Sequence, residues 1–259
     1  MSAKSPLRYP GGKTRALSIL EHYVQEYYPD RRRLLSPFFG GGSFELYLHE
    51  KGYKVFGNDL FGPLLTFWKT VQEKPEMLKT AVEDVLPVTK DVFSILRESI
   101  ESMIDPIEIA TSYYIINRCS FSGATFCGGF SQEASTGRLN ESCIQSLTNV
   151  KLTNIVFSNQ DCLHFLQSHP ESSDSVIYAD PPYYIDTYIY GKDGDMHAGF
   201  DHCAFAAYIR TRRDWILSYN DCAYIRELYA GCRFFTESWS YGMNATKASS
   251  ELIILPPLI

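Results

Sequence analysis

The sequence contains no run of eighteen consecutive apolar residues, so no part of it reads as a membrane-spanning helix. Its opening, Met1-Ser2-Ala3-Lys4-Ser5-Pro6, lacks the apolar stretch of a secretory signal. The expectation is a soluble cytoplasmic protein with no membrane partner. Cysteine provides no framework either. Seven are scattered along the chain and none forms a Cys-x-x-Cys pair, which excludes a zinc ribbon and a thioredoxin-type motif. They read as reduced, part-buried small hydrophobes. Repeats and low-complexity tracts are absent. Positive charge is also short: 24 Lys and Arg stand against 30 Asp and Glu, giving a net charge of −6 and a pI of about 5.5. For a nucleic-acid binder this is a mild contrary sign, because phosphate contacts need cations. Global charge does not fix the local field, however. Residues 1–20 carry Lys4, Arg8, Lys13 and Arg15 with no acid, and Arg31–Arg33 and Arg210, Arg212 and Arg213 form two further clusters. Each alone reads as a solvated face. Residues 171–201 are strongly acidic.

What is present is a chain of 259 residues with 45% apolar side chains, enough for one large domain or one domain carrying an insertion. Leu34–Phe39 is a short apolar run ending in Gly40-Gly41-Gly42-Ser43, the pattern of a buried strand that closes in a tight loop. Phe44–Lys51 reads as a helix with Ser43 as its N-cap and Gly52 beyond its end, and Tyr53–Asp59 as the next strand. That is a βαβ unit, which predicts a parallel sheet. Helical segments follow at Leu64–Glu73, Glu76–Val85, Lys90–Met103 and Ile107–Arg118, punctuated by Pro75, Pro87 and Pro106. Residues 119–137 read as a loop or small hairpin. The α/β rhythm resumes with strands at Asn154–Ser158, Ser175–Ala179, Trp215–Tyr219, Arg233–Phe235 and Leu252–Leu255, and a short helix at Cys162–Gln167. The organisation expected is a discontinuous α/β domain, residues 1–62 and 151–259, interrupted by a mostly helical insert at 63–150.

Three motifs carry chemistry. Asp180-Pro181-Pro182-Tyr183 follows an apolar strand and so sits at the carboxyl end of a sheet, where open α/β folds bind ligands. Its two prolines stiffen the loop and remove two backbone donors, which leaves carbonyls free to accept. An exocyclic amine, whose lone pair is delocalised into its ring, needs such acceptors. Tyr183 offers a π-face for a flipped base, worth about 1–3 kcal/mol. An ordinary Pro-Pro turn with a surface Asp is the alternative. In Phe39-Gly40-Gly41-Gly42-Ser43 the glycines permit close approach of backbone to ligand. Asp59 lies 19 positions beyond Gly40, where an acid binds ribose hydroxyls in nucleotide sites. Glu45 stands where G-x-G-x-x-G needs its third glycine, so a ligand with a ribose but no phosphate fits better, and S-adenosylmethionine is such a ligand. A functionless Gly-rich turn is the alternative. In Arg8-Tyr9-Pro10-Gly11-Gly12-Lys13-Thr14 the tail imitates a P-loop, but Leu7 stands where its first glycine belongs and no strand precedes it. Lys13 is free to pair with the carboxylate of a methionine moiety and Tyr9 to pack on it; a basic N-terminal turn is the alternative.

With these motifs in this order, the chain resembles the Dam-type family of N6-adenine DNA methyltransferases over nearly its whole length. The resemblance implies a Rossmann-like S-adenosylmethionine-dependent catalytic domain with a helical target-recognition insert. It implies cofactor contacts from Tyr9, Lys13, the Phe39–Gly42 loop and Asp59. Asp180, Pro181, Pro182 and Tyr183 would receive the flipped adenine, with Asp180 also against the cofactor. Asp161 matches a position bordering the cofactor's adenine and is equally a good helix N-cap. The implied reaction is a direct in-line transfer to the adenine 6-amino group of duplex DNA, with no covalent enzyme intermediate and no metal. No Pro-Cys dipeptide is present to supply the nucleophile of cytosine carbon-5 chemistry.

Sequence recognition is less legible. Ile116–Gly123 resembles the family's Asn…Phe-Asn-Gly stretch, which marks Asn117 and Arg118 as candidate DNA contacts, reading bases or gripping phosphate. Both also suit a structural role at a helix end. The neighbours Ala124-Thr125-Phe126-Cys127 depart from GATC-reading members. Tyr190–His197 with Asp201 and His202 looks metal-like but fails the calcium-loop template at Ala204, and reads as a substrate-side loop. Ser218-Tyr219-Asn220 resembles a secondary family motif or is a plain strand end. Two other classes stay open: the same fold acting on cytosine N4, RNA or protein, and a catalytically silent DNA-binding relative. Oligomeric state is not legible, and a monomer is the working expectation.

Overall fold

The computed structural model describes residues 4–9, 11–184, 199–240 and 248–258. Within them lie strands β1 (Arg33–Ser36), β2 (Lys54–Asn58), β3 (Ile155–Ser158), β4 (Ser175–Ala179), β5 (Trp215–Asn220), β6 (Arg233–Ser240) and β7 (Ala248–Leu255). They form one sheet in the order β3-β2-β1-β4-β5-β7-β6. β3, β2, β1, β4 and β5 are parallel, as the βαβ pattern predicts. β7 runs antiparallel to both β5 and β6. The reason is distance along the chain. Only seven residues separate Ser240 from Ala248, whereas a parallel return needs a crossover of a dozen or more, roughly.

The strands are apolar because both faces are covered. Side chains alternate between two cores: Leu34, Val176, Tyr178, Ile216 and Ile253 point to one, and Leu35, Ile177, Leu217, Leu252 and Ile254 to the other. Helices α1 (Leu17–Tyr27) and α2 (Ser43–Glu50) pack on the first face. α9 (Cys162–Ser168), α10 (His202–Ile209) and α11 (Ala223–Leu228) pack on the second. This is a Rossmann-like α/β fold.

Six helices lie between β2 and β3: α3 (Gly62–Glu73), α4 (Pro75–Asp84), α5 (Lys90–Ser99), α6 (Pro106–Cys119), α7 (Gln132–Gly137) and α8 (Glu141–Asn149). α6 is their axis, buried on nearly every side from Ala110 to Cys119, with Tyr114 stacked on Phe67 of α3 at 5.6 Å. Their core runs without a break into that of the first sheet face, Tyr113 and Ile116 belonging to the same cluster as Leu34 and Val55. Two local expectations change. Residues 119–137 are not all loop: two short 3-10 turns lead into α7, capped by the Ser131 side chain on the Ala134 N–H at 3.2 Å. The residue before α2 is Gly42, not Ser43. Gly42 has φ +66°, and a Cβ there would meet the Phe39 ring at 2.6 Å, so only glycine fits.

None of the seven cysteines is in a disulfide, and burial pushes the thiols of Cys119 and Cys162 up to about 11 and 12. Among the described residues no helix is long and apolar enough to cross a membrane.

Two of the three basic clusters brace the amino ends of the strands, away from the loops at their carboxyl ends. Arg31 donates to the carbonyls of Ser172 and Ser175, and Arg210 to those of Leu228 and Ala230. Arg212 is buried and bidentate to Asp214, at 2.9 and 2.8 Å, while its Nη1 caps the end of α9 through the carbonyls of Leu166 and His169. Asp214 is 0% exposed. Arg212→Ala therefore strands a buried charge and should cost about 3–5 kcal/mol in a urea titration. Replacing both partners together, Arg212→Met with Asp214→Leu, should recover most of that loss. A single variant as stable as the parent would show that the pair carries no such strain.

Candidate active site

β1 and β4 are neighbours, with Leu35 opposite Ile177. The Gly-rich loop leaving β1 and the Asp-Pro-Pro-Tyr loop leaving β4 therefore emerge side by side at the carboxyl edge. This is the switch point of the sheet, since the strand order runs outward in both directions from there. A cavity of about 320 Å³ opens between them. Tyr9, Lys13, Gly40–Gly42, Asp59, Asp161 and Asp180 all line it. Sequence reasoning missed its apolar wall, formed by Phe38, Leu60, Phe61 and Leu163. Leu60 gave a late clue, as it remains 54% exposed in an otherwise well-packed region.

The glycine loop is shaped by what presses on it. A Cβ on Gly41 would come within 2.6 Å of Tyr9 Cβ, so the Tyr9 side chain lies directly on the loop backbone. From below, Trp68 of α3 donates its indole N–H to the Gly40 carbonyl at 3.0 Å. Phe39 reaches the cavity wall, but its ring is wedged inward against Gly57, Trp68 and Phe157. Asn58, fully buried and not singled out from the sequence, ties three loops together. Its Nδ2 donates to the carbonyls of Pro37 and Gln160, and its Oδ1 accepts from Gln160 N and Ser158 Oγ.

Asp59 accepts the Gly40 N–H on Oδ2 at 2.8 Å and the Phe61 N–H on Oδ1 at 3.1 Å. Burial pushes its carboxyl up to about 6, against the pull of those backbone donors. Each oxygen keeps a lone pair for a further donor, as a ribose diol supplies. Asp161 caps α9 with Oδ1, accepting from Leu163 N at 2.8 Å and His164 N at 3.3 Å. The capping role foreseen for it is thus made while it lines the cavity.

The deepest feature is ionic. Lys13, 4% exposed, sets its ammonium 2.5 Å from Asp180 Oδ2 and 3.7 Å from Glu251 Oε2. Its partners are carboxylates of this chain, where the sequence left open the carboxylate of a ligand. Glu251 comes from β7 and is 1% exposed; nothing in its sequence surroundings pointed to it. Glu45 is a third buried acid beside Asp180 and Lys13, held by the Ser36 hydroxyl at 2.8 Å. Burial raises all three carboxyls, with Lys13 pulling the other way: Glu45 and Glu251 rise to about 7, and Asp180 rises as well. Asp180 Oδ1, also buried, has no hydrogen-bond partner among the described residues. The Tyr183 ring lies under the Lys13 ammonium at 5.2 Å and its hydroxyl faces Glu251. Tyr184, which the sequence reading passed over, is half exposed against Tyr224 at 4.3 Å, and Asn220 at the end of β5 holds its carbonyl at 2.7 Å.

Asn117 and Arg118 are placed differently from a base-reading pair. Asn117 is 0% exposed. Its Oδ1 accepts from Arg8 N, and its Nδ2 donates to Arg8 O at 2.6 Å and to Thr125 Oγ1 at 3.1 Å, so its amide is occupied by protein. Arg118 donates to the carbonyls of Arg138 and Pro6. Both lock the amino-terminal segment onto α6. A half-buried basic group results, in which burial and then the charges of Arg138 and Arg118 lower the Arg8 pKa. Residues 185–198 of the loop read as substrate-side lie outside the described residues. At its described end Asp201 caps α10 through Ala204 N at 2.9 Å, and His202 meets the Tyr219 hydroxyl at 3.0 Å.

A family model for D12 class N6 adenine-specific DNA methyltransferases matches residues 9–243. A DNA N-6-adenine-methyltransferase of Escherichia phage P1 is 28% identical over 126 residues, 47% of this chain. That stretch covers only 16% of the phage protein, so the likeness concerns a small part of a much longer relative. The family match runs from Tyr9, on the glycine loop, past the Asp180 turn, and the chain belongs to the D12 class N6 adenine-specific DNA methyltransferases.

Proposed function

We propose that the protein transfers a methyl group from S-adenosylmethionine to the 6-amino group of adenine in duplex DNA, with the base turned out of the helix and the transfer direct. The observation that carries this is Asp180. It has one oxygen pinned by Lys13 and the other buried and without a hydrogen-bond partner among the described residues, on the wall of the cavity that also holds Asp59 and the glycine loop.

The donor set fits the cofactor. Asp59 offers acceptors for ribose hydroxyls, Phe38, Leu60, Phe61 and Leu163 an apolar wall for a purine, and the acids around Lys13 a field that favours a sulfonium. When bound, that group supplies an electrophilic methyl carbon. The chain's part is to make a poor nucleophile adequate. Asp180 Oδ1 accepts one amino hydrogen, and the carbonyl of Pro181, followed by a residue with no N–H, accepts the other. Both press electron density back onto nitrogen as charge develops there, in a pocket where water does not compete. Lys13 keeps Asp180 ionised and fixes which oxygen faces the substrate. The Tyr183 and Tyr184 rings provide stacking surfaces for an extruded base. Contact with the duplex falls to Arg8, Arg118 and Arg138, with Asn117 acting behind Arg8 by holding its backbone.

Incubation with labelled cofactor and mixed-sequence duplex DNA, followed by digestion, should yield N6-methyladenine. Label in methylcytosine, RNA or protein alone would move the activity to another amine. Asp180→Ala should lower turnover by about 10²–10³-fold while DNA retention in a gel-shift assay survives; full activity in that variant would remove the catalytic assignment. Cofactor affinity should also depend on pH. Asp59 is charged above about pH 6 and neutral below it, and hydroxyl donors bind the charged form better. Affinity should weaken by up to about tenfold per unit below pH 6, in addition to the change that the acids around Lys13 bring nearer neutrality. Calorimetry should show a steeper slope below pH 6 in the parent than in Asp59→Asn.

A further inference from the structure

Methylation of an amine releases a proton inside a cavity that has just lost a positive charge. The amino lone pair forms the new N–C bond, the C–S bond pair stays on sulfur, and sulfur ends as a neutral thioether. The N–H bond then breaks, and its proton needs a base. Asp180 is the first acceptor in reach, but it must be a carboxylate again for the next turnover.

Among the described residues, Glu251 offers an exit from Asp180 that stays inside the fold. It shares the Lys13 ammonium with Asp180, and both carboxylates lie within electrostatic reach of Tyr183. Glu251 stands 3.7 Å from Lys13 where Asp180 stands at 2.5 Å, so it is the less firmly ionised of the two. Glu45 is equally buried but differently held. Its carboxylate accepts from Ser36 and from its own backbone N–H in the first turn of α2, contacts that do not lead back to Asp180. Among the described residues, the groups facing Glu251 are Lys13 from the amino-terminal segment, Tyr178 of β4, Asp180 and Tyr183 from the β4 loop, and its cross-strand neighbours Asn220 and Glu237. Glu237 is itself occupied, accepting the Tyr23 hydroxyl of α1 at 2.6 Å. With Asp180, Glu45 and Glu251 all ionised around one ammonium, the buried group would carry a net charge of −2. A bound cation relieves that charge, and its loss invites a proton.

We propose that Glu251 is the proton store of this site, taking over from Asp180 the proton that the adenine amino group gives up. The O–H bond on Asp180 breaks and one on Glu251 forms, and the charge in the cavity is the same before and after transfer. This rests on the methyltransferase reading above, and it makes Glu251 a positioning residue that acts through Asp180 and never touches the base.

The test compares two ligands on the full chain near neutral pH: S-adenosylhomocysteine, with its neutral sulfur, and sinefungin, with an amine cation in the sulfonium's place. Titration calorimetry in buffers of different ionisation enthalpy counts the protons bound with each. The neutral ligand should bring up to about one proton more per site than the cationic one. Glu251→Gln should abolish that difference, with S-adenosylhomocysteine still bound within about threefold of the parent and the cationic ligand losing affinity. Glu251→Asp should keep part of it, and Glu45→Gln should keep all of it. An undiminished difference in Glu251→Gln, or its loss in Glu45→Gln, overturns the assignment of the store and leaves the methyltransferase reading standing. Failure of the parent to bind either ligand overturns both.

Discussion

The contact between Lys13 and Asp180 spans 167 positions of sequence and closes the site. Without it the amino-terminal segment has no charged anchor at the carboxyl edge of the sheet, and Asp180 no fixed orientation. Buried ion pairs seldom add net stability, because desolvating both charges offsets most of their attraction. A buried lysine among three acids is therefore poorly explained as a stabilising device. It is well explained as a way to hold a carboxylate charged and aimed. Oδ2 faces the ammonium, Oδ1 faces the cavity, and the division of labour between two chemically identical atoms is set by the lysine alone.

Such an arrangement needs rigid walls, and the fold supplies them through packing as much as through hydrogen bonds. Tyr9 above and Trp68 below grip the same glycine turn, one through ring contact and one through an indole N–H. Trp68 belongs to α3, so the helical segment between β2 and β3 supports the glycine loop directly. Phe61, two residues after Asp59, packs on Phe126 and Tyr113 of the same segment at 5.3 and 6.1 Å. The expectation of a catalytic domain interrupted by a recognition insert is thus a statement about chain order more than about separable bodies. The two share one core, and Trp68 of the insert holds the Gly40 carbonyl from behind the cavity. A shift in the packing of this segment has a physical route to the glycine loop, through packed side chains rather than a hinge.

Sequence reasoning located the motifs that line the cavity better than the residues that support them. Asp180, Asp59 and the glycine loop were legible because strand, turn and acid recur at spacings that sheet geometry imposes, and because φ above zero at Gly42 admits almost no other residue. Glu251 was not legible. It lies within an otherwise apolar strand, and only the antiparallel return of β7 beside β5 brings it to Lys13. The expectation of a parallel sheet had concealed that return. Asn58 was hidden for a related reason: an Asn at a strand end reads as a turn former, and its four partners come from loops about 20 and 100 residues away. Asn117 was found by motif, yet the motif does not say which way an amide points. The pairing with the Arg8 backbone is a tertiary fact.

The acidity of the chain, a contrary sign for a DNA-binding protein, resolves when charge is sorted by place. Two of the three basic clusters are spent on carbonyls and on Asp214 at the far edge of the sheet. The third, at the amino terminus, divides between Lys13 inside and Arg8 outside, where Arg118 and Arg138 join it. The acids gather inside as well, at Glu45, Asp180 and Glu251, where a field that would repel phosphate is shielded by protein and faces the cavity. On the proposed function the protein holds a cationic donor and a polyanion together, and it benefits from keeping the two fields apart. The amino-terminal segment runs from one to the other in five residues, Arg8 to Lys13, so the proposed point of contact with DNA and the clamp on Asp180 lie on the same short piece of chain. On that proposal, strain imposed on the segment by the duplex would reach Asp180 without passing through the sheet.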